Sequence, residues 1–270
     1  MRPRRNARYR SIFLSDIHLG TRGCRADILL DFLDSTDSEH LFIVGDLVDG
    51  WRLKRSWYWA PSHNDVIQRL MAKVRSGTSV TYVPGNHDEA LRHYCGMSLG
   101  GVNVRKQAEH VLADGRRFLI LHGDEFDGVI KHCKWLAFLG DWAYATALQG
   151  NLWFNDARRL LGLPYWSLSA YLKYKVKNAV EYISRFENTV AAEARRRDAD
   201  GVICGHIHHA EIRDIDGVTY CNDGDWVESC TALVEHFDGT LEVLRWAEIG
   251  HRSLAALAER RAPATAAVAS

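Results

Sequence analysis

The sequence predicts an α/β protein whose polar site lies at the ends of its strands. Five short apolar runs, rich in β-branched residues, have the length of buried strands, and each leads into a cluster of Asp, His or Asn residues. Helical patterns such as residues 65–75 lie between some of these runs. Two Asp-Gly pairs, Asp216-Gly217 and Asp238-Gly239, are flanked by alternating apolar residues and predict tight antiparallel hairpins, so we expect a mixed sheet.

The five apolar runs and their polar followers keep one pattern along the chain. The predicted strands are residues 11–15, 41–44, 80–83, 118–121 and 201–204. The first run is followed by Asp16 and His18, the second by Asp46 and Asp49, and the third by Asn86, His87 and Asp88. The fourth is followed by His122 and Asp124, and the fifth by His206 and His208. Buried strands of α/β proteins carry their functional residues just past their carboxyl ends, so we expect these clusters to form one site.

Composition narrows the class of protein. The 270 residues carry 34 basic and 34 acidic side chains, so the formal net charge is zero and no partnership with nucleic acid is expected. Six cysteines without a C-x-x-C pair predict free thiols in a reducing cytosol. Asp16 interrupts the first apolar run before a signal-peptide core forms, and Asp141 interrupts the richest later stretch. We therefore expect a cytoplasmic protein that, if it meets a membrane, lies on its surface.

Seven of the polar residues form a donor set for divalent metal ions: Asp16, His18, Asp46, Asn86, His122, His206 and His208. Oxygen and imidazole donors without cysteine sulfur suit Mn, Fe or Zn. Asp16 and His18, two residues apart just past a strand, can both turn toward one ion. The carboxylate of Asp46 can bridge two ions, and two such ions activate a water for in-line attack on phosphorus. Glycines, which permit tight turns, stand beside the donors at positions 45, 85, 123 and 205.

His87 and Asp49 are predicted to act as a catalytic pair beside these donors. His87 follows Asn86 and is placed to protonate or stabilise the departing oxygen. Asp49, three residues after Asp46, is the candidate carboxylate that fixes the tautomer of His87 and favours its charged form.

Each motif has a common structural alternative when it stands alone. A lone D-x-H or H-G-D is most often part of an ordinary loop, G-D-x-x-D a turn or helix start, and N-H-D a capped turn. G-H-x-H is divided evenly between metal binding and a loop. The occurrence of all five in one chain, each after a predicted buried strand, favours the metal site.

In combination, Asp16-x-His18, Gly45-Asp46-x-x-Asp49, Gly85-Asn86-His87-Asp88, His122-Gly123-Asp124 and Gly205-His206-x-His208 resemble the five-block signature of calcineurin-like metallophosphoesterases. The resemblance spans roughly residues 11–245 and implies a four-layer α/β/β/α sandwich with two metal ions at the loop end. It implies that one ion is held by Asp16, His18, Asp46 and His208. It implies that the other is held by Asp46, Asn86, His122 and His206.

Within that superfamily the chain most resembles the UDP-2,3-diacylglucosamine pyrophosphohydrolases of lipid A synthesis. The resemblance rests on Gly50-Trp51 after the Asp49 block, on the run NDGDW at residues 222–226 and on an insertion after His122. It implies Mn as the metal, UMP and a lipid phosphate as the products, and the cytoplasmic surface of the inner membrane as the place of action. That family usually has Arg where this chain has His87, so a paralogous branch with another substrate is an alternative.

The insertion, residues 128–185, contains 11 of the 28 aromatic residues, and eight Lys or Arg against three acids. This composition predicts a helical lid with an aromatic face and a cationic fringe, able to rest on an anionic membrane. The predicted substrate contacts are Lys131, Trp135, Trp142, Arg158, Lys173 and Lys175. The alternative is a helical hairpin that packs on its own core or on a second subunit, and the oligomeric state stays open.

These observations divide the chain into a core of residues 1–127 and 186–250, the lid, and a disordered tail at 251–270. The favoured function is hydrolysis of a lipid-linked phosphoanhydride or phosphoester, above all UDP-2,3-diacylglucosamine or a similar lipid. A soluble nucleotide or sugar phosphatase and a phospholipid phosphatase are alternatives on the same metals. A non-catalytic scaffold is least favoured, because degenerate members should lack ligands and this chain lacks none.

Overall fold

The computed structural model of the chain describes residues 6–129 and 168–249. The chain divides into two compact units, residues 1–125 together with 190–270, and residues 126–189. Most of the predicted lid and all of the predicted tail lie outside the described residues, so these two boundaries stay predictions. Within the described part, no helix is both long and apolar enough to cross a membrane.

The described residues form twelve strands and four α-helices. The strands are β1 (Ala7–Leu14), β2 (Thr36–Val44), β3 (Ser79–Val83), β4 (Ser98–Leu99), β5 (Val102–Val104), β6 (Ala108–Val111), β7 (Arg117–Ile120), β8 (Gly201–Cys204), β9 (Glu211–Ile215), β10 (Val218–Asn222), β11 (Thr231–Glu235) and β12 (Leu241–Arg245). The helices are α1 (Ala26–Ser35), α2 (Gly50–Arg55), α3 (Pro61–Arg75) and α4 (Leu168–Arg196). Short 3₁₀ helices span Glu89–Tyr94 and Asp124–Val129.

The strands form two mixed sheets, as the sequence predicts. The larger has the order β12-β11-β1-β2-β3-β5-β4 and the smaller the order β6-β7-β8-β10-β9. In the centre of the larger sheet β1, β2, β3 and β5 run parallel, and in the smaller sheet β7, β8 and β10 run parallel. The carboxyl ends of the central strands in each sheet therefore point the same way, which places their following loops together.

The predicted hairpins are both present. Strands β9 and β10 pair antiparallel around Asp216 and Gly217, whose φ angles of 51° and 82° are left-handed, as a type I′ turn requires. Strands β11 and β12 pair antiparallel across residues 236–240. Helix α3 covers the predicted helical run but starts four residues earlier, at Pro61, because proline is favoured at the first helical position.

Alternating residues of the larger sheet pack in two opposite directions. On one face, Ile12 and Leu14 of β1 join the apolar faces of α1 and α3. On the other face, Phe13 stacks on Phe42 with 5.0 Å between ring centroids and packs against the smaller sheet. The residues that the smaller sheet contributes to this inner core are Phe118, Ile120, Ile203 and Cys221.

The end of α4 covers the outer face of the smaller sheet. Val190 and Ala194 are fully buried, and the Arg195 guanidinium donates to the carbonyl oxygen of Ile215 in β9. Helices thus lie outside both sheets, and the predicted α/β/β/α order of layers is confirmed.

A buried polar cluster joins the two sheets away from the loop ends. Glu235 of β11 is fully buried and lies 2.5 Å from Arg10 Nη1 and 2.7 Å from His110 Nε2 of the smaller sheet. Ser11 donates to the same carboxylate at 2.5 Å, and the backbone N–H of Ala113 donates to it at 2.8 Å. One carboxylate therefore satisfies donors from both sheets, and its removal takes a hydrogen-bond partner from each of them.

We expect Glu235→Ala to lower the free energy of unfolding by about 3–5 kcal/mol, because Arg10 loses its counter-charge and His110 and Ser11 lose a buried hydrogen-bond partner. The matched control is Glu242→Ala on the neighbouring strand. Glu242 lies 2.8 Å from His236 and is 38% exposed, so its loss should cost less than about 1 kcal/mol. Urea denaturation at neutral pH measures both values, and equal losses in the two variants would contradict the role of the cluster.

The effect of Glu235 should also depend on pH. Burial raises the pKa of this carboxyl, but hydrogen bonds from His110 and Ser11 outweigh it and lower the pKa from 4.5 to about 2. A carboxyl whose pKa is depressed in the folded state stabilises that state at pH values above its pKa in the unfolded chain. This contribution is lost as the pH falls toward about 2. The difference between parent and Glu235→Ala should therefore shrink below pH 4.5.

Candidate metal centre

The seven predicted metal donors lie together, on loops that follow parallel strands of both sheets. Asp16 and His18 follow β1, Asp46 follows β2, and Asn86 follows β3. From the smaller sheet, His122 follows β7, and His206 and His208 follow β8. The structure therefore brings together residues that are up to 192 positions apart in the chain.

Five of the seven donors have left-handed backbone conformations. The φ angles of these residues lie between 50° and 71°, and the residues are Asp16, His18, Asp46, His206 and His208. A non-glycine residue in a sparsely populated backbone region costs about 1–3 kcal/mol, and such residues cluster at functional sites. Here the backbone bonds from Asp16 N to Gly45 O, 3.1 Å, and from His18 N to Asp46 O, 2.9 Å, hold two of the loops in place.

Three glycines leave the space that the donors occupy. A Cβ atom at Gly85 would lie 2.2 Å from Asp46 Oδ1 and 2.7 Å from His122 Nε2. A Cβ atom at Gly45 would lie 2.1 Å from His122 Nδ1, and one at Gly205 would lie 2.6 Å from Asp16 Oδ2. Gly45 and Gly123 also have φ angles of 89° and 111°, as the predicted tight turns require, while Gly45, Gly85 and Gly205 leave room for the donors.

The first group of donors surrounds Asp16. His208 Nε2 lies 3.0 Å and His18 Nε2 3.7 Å from Asp16 Oδ1, and His18 Nε2 lies 3.9 Å from Asp46 Oδ2. Ligand atoms of Asp16, His18 and His208 lie within 4.8 Å of one another, which is a suitable separation for donors around one ion.

The second group of donors surrounds Asp46. His122 Nε2 lies 3.5 Å from Asp46 Oδ2 and 3.3 Å from Asn86 Oδ1, while its Nδ1 lies 2.8 Å from the carbonyl oxygen of Val44. That carbonyl accepts from Nδ1 and leaves Nε2 to face the donors. The His206 ring centroid lies 5.1 Å from that of His122. Asp16 also lies with Asp46 and His122, whose ligand atoms are within 4.8 Å of one another, so the division of the donors between two ions stays a prediction.

Burial and charge in these groups fit a pair of metal ions. Asp16 is fully buried and Asp46 is 2% exposed, and their ligand atoms lie within 4.8 Å of each other. In the described residues, the ion-pair partners of both carboxylates are histidines, whose neutral forms are metal ligands. Two close buried carboxylates need positive charge nearby, and divalent ions provide it.

Protons provide that charge in the absence of metal. Burial opposes the charged form of His18, but hydrogen bonds to Asp16 and Asp49 outweigh it and raise the pKa of His18 to about 10. Burial likewise opposes charge on His122, and Asp46 outweighs it and raises that pKa to about 10. The same contacts hold the pKa of Asp16 well below its usual value, although its burial acts in the opposite direction.

The predicted catalytic pair lies at the edge of these groups. His87 Nδ1 lies 3.0 Å from Asp49 Oδ1, and His87 Nε2 lies 3.9 Å from Asp46 Oδ2. Asp49 Oδ2 also lies 3.5 Å from His18 Nδ1, a contact that the sequence did not predict. One carboxylate therefore faces the outer nitrogen of both imidazoles. Burial raises the pKa of Asp49, but the hydrogen bonds with His18 and His87 lower it more, so this pKa lies below its usual value.

Ser15 and Asp223 are site residues that the sequence analysis missed. Ser15 Oγ lies 2.6 Å from Asp16 Oδ2 and 2.6 Å from Asp223 Oδ1, and all three side chains are buried. Burial raises the pKa of Asp223 well above its usual value. The available signal was the position of Asp223, which directly follows β10, a strand parallel to β8.

Asp88, which the sequence placed only within a motif, joins two ligand loops. It accepts hydrogen bonds from the backbone N–H of Gly85 at 2.6 Å and of Leu47 at 2.8 Å, and also from the Tyr82 hydroxyl. This carboxylate fixes the loop that carries Asn86 against the loop that carries Asp46.

The predicted substrate contacts remain predictions. Lys131, Trp135, Trp142 and Arg158 lie outside the described residues. Lys173 and Lys175 lie within α4, where the positions of their side chains are not described.

The family model for calcineurin-like phosphoesterases matches residues 9–210 of the chain. A UDP-2,3-diacylglucosamine hydrolase from Blochmanniella pennsylvanica is 32% identical over 120 residues, which are 42% of this chain and 46% of that protein. The DNA polymerase II small subunit from Methanothermobacter thermautotrophicus is 25% identical over 146 residues, which are 43% of this chain and 30% of that protein. The chain thus spans less than half the length of either relative.

Among solved structures, the E. coli phosphoesterase Yfce is 15% identical to this chain, with a TM-score of 0.41. The alignment covers 87% of this chain and 98% of the other.

We expect Mn²⁺ binding to release protons and to weaken as the pH falls, because His18 and His122 hold protons at neutral pH. The affinity should fall by about ten-fold per pH unit for each proton displaced. Titration calorimetry in buffers of different ionisation enthalpy counts the released protons. His18→Gln should release fewer protons than the parent, whereas His40→Gln, in the middle of β2 and outside both groups of donors, should release the same number. An affinity independent of pH between about 6 and 9 would refute this expectation.

Proposed function

The chain belongs to the calcineurin-like phosphoesterase family, and from this premise we propose that it is a metal-dependent hydrolase of a lipid-linked phosphoanhydride or phosphoester. UDP-2,3-diacylglucosamine or a similar lipid is the proposed substrate, with UMP and a lipid phosphate as the products. The proposed place of action is the cytoplasmic surface of the inner membrane.

One observation carries the catalytic part of this proposal. Two groups of donors meet at Asp16 and Asp46, and the His87–Asp49 pair lies next to them, with His87 Nε2 3.9 Å from Asp46 Oδ2. The Ser15 hydroxyl beside these donors is buried and hydrogen-bonded with Asp16 and Asp223, and this arrangement favours attack by water over a covalent intermediate.

In the proposed assignment Asp46 serves both metal ions. Asp16, His18, Asp46 and His208 would hold the first ion, and Asp46, Asn86, His122 and His206 would hold the second. When bound, a pair of divalent ions supplies Lewis acidity and an activated water; Mn is the proposed metal, with Fe or Zn as alternatives. The neutral amide of Asn86 limits the negative charge of the site. Asp49 faces Nδ1 of His18 and so orients that ring. The Val44 carbonyl oxygen faces Nδ1 of His122 and orients that ring in the same way.

The role proposed for His87 is proton transfer to the leaving oxygen. Asp49 Oδ1 lies 3.0 Å from Nδ1, and Nε2 lies 3.9 Å from Asp46 Oδ2, so Nε2 is the nitrogen that faces the site. A proton on Nε2 passes to the departing oxygen as its bond to phosphorus breaks. Trp51 lies against His87, with ring centroids 4.3 Å apart, and restricts its orientation.

Three features support a lipid-linked substrate. The Blochmanniella relative is named as a UDP-2,3-diacylglucosamine hydrolase. The insertion of residues 128–185 is aromatic and basic, a composition that suits acyl chains and anionic headgroups. Gly50-Trp51 and the NDGDW run complete the resemblance to the lipid A enzymes. A soluble nucleotide or sugar phosphatase, or a phospholipid phosphatase, would use the same donors.

A screen of Mn-loaded protein tests the proposed substrate. We expect UDP-2,3-diacylglucosamine to be hydrolysed with a higher kcat/KM than UDP-glucose, phosphatidic acid or 4-nitrophenyl phosphate, because the lipid and diphosphate parts both contribute binding. Asp46→Ala should bind neither ion and should lose nearly all activity, since both groups of donors share this carboxylate. Faster turnover of a soluble substrate would reject the lipid proposal, and Mn-dependent activity in Asp46→Ala would reject the shared carboxylate.

We expect His87→Ala to bind Mn normally but to lower kcat by about 10²- to 10⁴-fold on substrates with poor leaving groups, because the proton donor is lost. On 4-nitrophenyl phosphate, whose leaving group needs no proton, the loss should be smaller. His93→Ala is the matched control, since His93 lies on the 3₁₀ helix beyond this loop. Equal losses for good and poor leaving groups would exclude a role as general acid.

A further inference from the structure

The run of residues 222–226, which follows β10, joins two of the loops that carry the candidate metal donors. The Asn222 side-chain amide donates to the carbonyl oxygen of Gly205 at 2.7 Å, in the loop that follows β8. The backbone N–H of Trp226 donates to the carbonyl oxygen of Asp16 at 3.1 Å. Because this run leads from the smaller sheet toward β11 of the larger one, it ties the loop after β8 to the loop after β1.

Asp223 lies in this run on a backbone that is held on both sides. The Thr231 hydroxyl donates to the carbonyl oxygen of Asp223 at 2.8 Å. Gly224, the next residue, has a left-handed φ angle of 85°, and a Cβ atom there would lie 1.9 Å from the same hydroxyl. The side chain of Asp223 is fully buried and extends to Ser15, next to the metal donor Asp16.

The Ser15 hydroxyl lies close to three oxygen atoms but carries a single hydrogen. Asp16 Oδ2 and Asp223 Oδ1 each lie 2.6 Å from Ser15 Oγ, and the carbonyl oxygen of Gly224 lies 3.0 Å from it. A hydroxyl donates one hydrogen, and an ionised carboxylate donates none. Two oxygen atoms 2.6 Å apart need a hydrogen between them. One of the two carboxyl groups therefore holds a second proton.

The surroundings of the two carboxyl groups assign this proton to Asp223. Asp16 Oδ2 also accepts from the backbone N–H of His206 at 2.8 Å, and Oδ1 lies 3.0 Å from His208 Nε2, so donors surround an ionised Asp16. Asp223 Oδ2, in contrast, has no hydrogen-bond partner in the described part of the chain. A buried charge without partners is costly, and burial accordingly raises the pKa of Asp223.

We propose that Asp223 is a neutral hydrogen-bond donor that acts through the Ser15 hydroxyl to position Asp16 as a metal ligand. Ser15 and the backbone N–H of His206 together occupy Oδ2 of Asp16. Oδ1 is then the oxygen that faces the histidines of the first group of donors. Asp223 is thus a positioning residue, and the inference rests on the proposed function because it takes Asp16 to be a metal ligand.

Two substitutions at Asp223 separate a neutral donor from a charged group. Asp223→Asn keeps a neutral donor of similar size and should keep the Mn²⁺ affinity of the parent, as measured by titration calorimetry. Asp223→Leu removes the donor and should weaken Mn²⁺ binding by about 10- to 100-fold. If Asp223 were charged, Asp223→Asn would remove a negative charge close to the ions and would also weaken binding. A loss of more than about ten-fold in Asp223→Asn would therefore overturn the proposal.

Ser15→Ala tests whether Asp223 acts through the hydroxyl. This variant should lose about as much Mn²⁺ affinity as Asp223→Leu, and the two changes together should cost no more than either alone. Ser38→Ala is the matched control, because Ser38 lies on β2 and its buried hydroxyl has no hydrogen-bond partner among the described residues. It should bind Mn²⁺ as the parent does. Additive losses, or an equal loss in the control, would overturn the proposal. If Asp223→Leu does not fold, Ser15→Ala and Asp223→Asn still decide.

Infrared spectroscopy of the metal-free protein tests the neutral carboxyl group directly. At neutral pH the parent should show the carbonyl band of a protonated carboxylic acid that Asp223→Asn lacks, while the other acids contribute equally to both spectra. Absence of this band from the difference spectrum would overturn the proposal whether or not Mn²⁺ binds. A parent that shows the band but binds no Mn²⁺ would reject the proposed function and the metal-directed role of Asp223, and would leave its neutral state established.

Discussion

The structure of the site depends on the burial of two carboxylates, Asp16 and Asp46, side by side. Their ligand atoms lie within 4.8 Å of each other, and neither side chain is more than 2% exposed. Like charges at that distance repel strongly where water is excluded, so the pair requires positive charge in the same space. The imidazoles of His18, His122 and His208 meet this need with protons, and divalent ions meet it better.

The fold creates this constraint through its parallel strands. Strands β1 and β2 pair in parallel, and their ladder continues beyond the strands through the bonds from Asp16 N to Gly45 O and from His18 N to Asp46 O. These bonds fix the two carboxylates on adjacent loops before any side chain is considered. The left-handed backbone of Asp16 and Asp46 is the cost, and the buried sheets on either side supply the stability that tolerates it.

Hydrogen bonds and close contacts with neighbouring residues hold the donors in position. Ser15 and Asp223 support Asp16, Asp88 joins two of the ligand loops, and Asp49 faces both His18 and His87. A small cavity lined by Trp51 and His87 lies beside the Asp49 carboxylate.

The sequence by itself determined five strands, both hairpins and the positions of the seven candidate donors, because each is a local pattern: a buried apolar run, an Asp-Gly turn, or a polar cluster just past a strand. It also identified the His87–Asp49 pair, whose members lie on motifs of their own. The tertiary structure decided what depends on residues far apart in the chain. The contacts of Asp223 with Ser15 span 208 positions, and those of Glu235 with Ser11 span 224, so no local pattern reveals them. The space that Gly85 leaves for Asp46 and His122 is likewise a property of three loops in contact, since only packing determines which side chains meet.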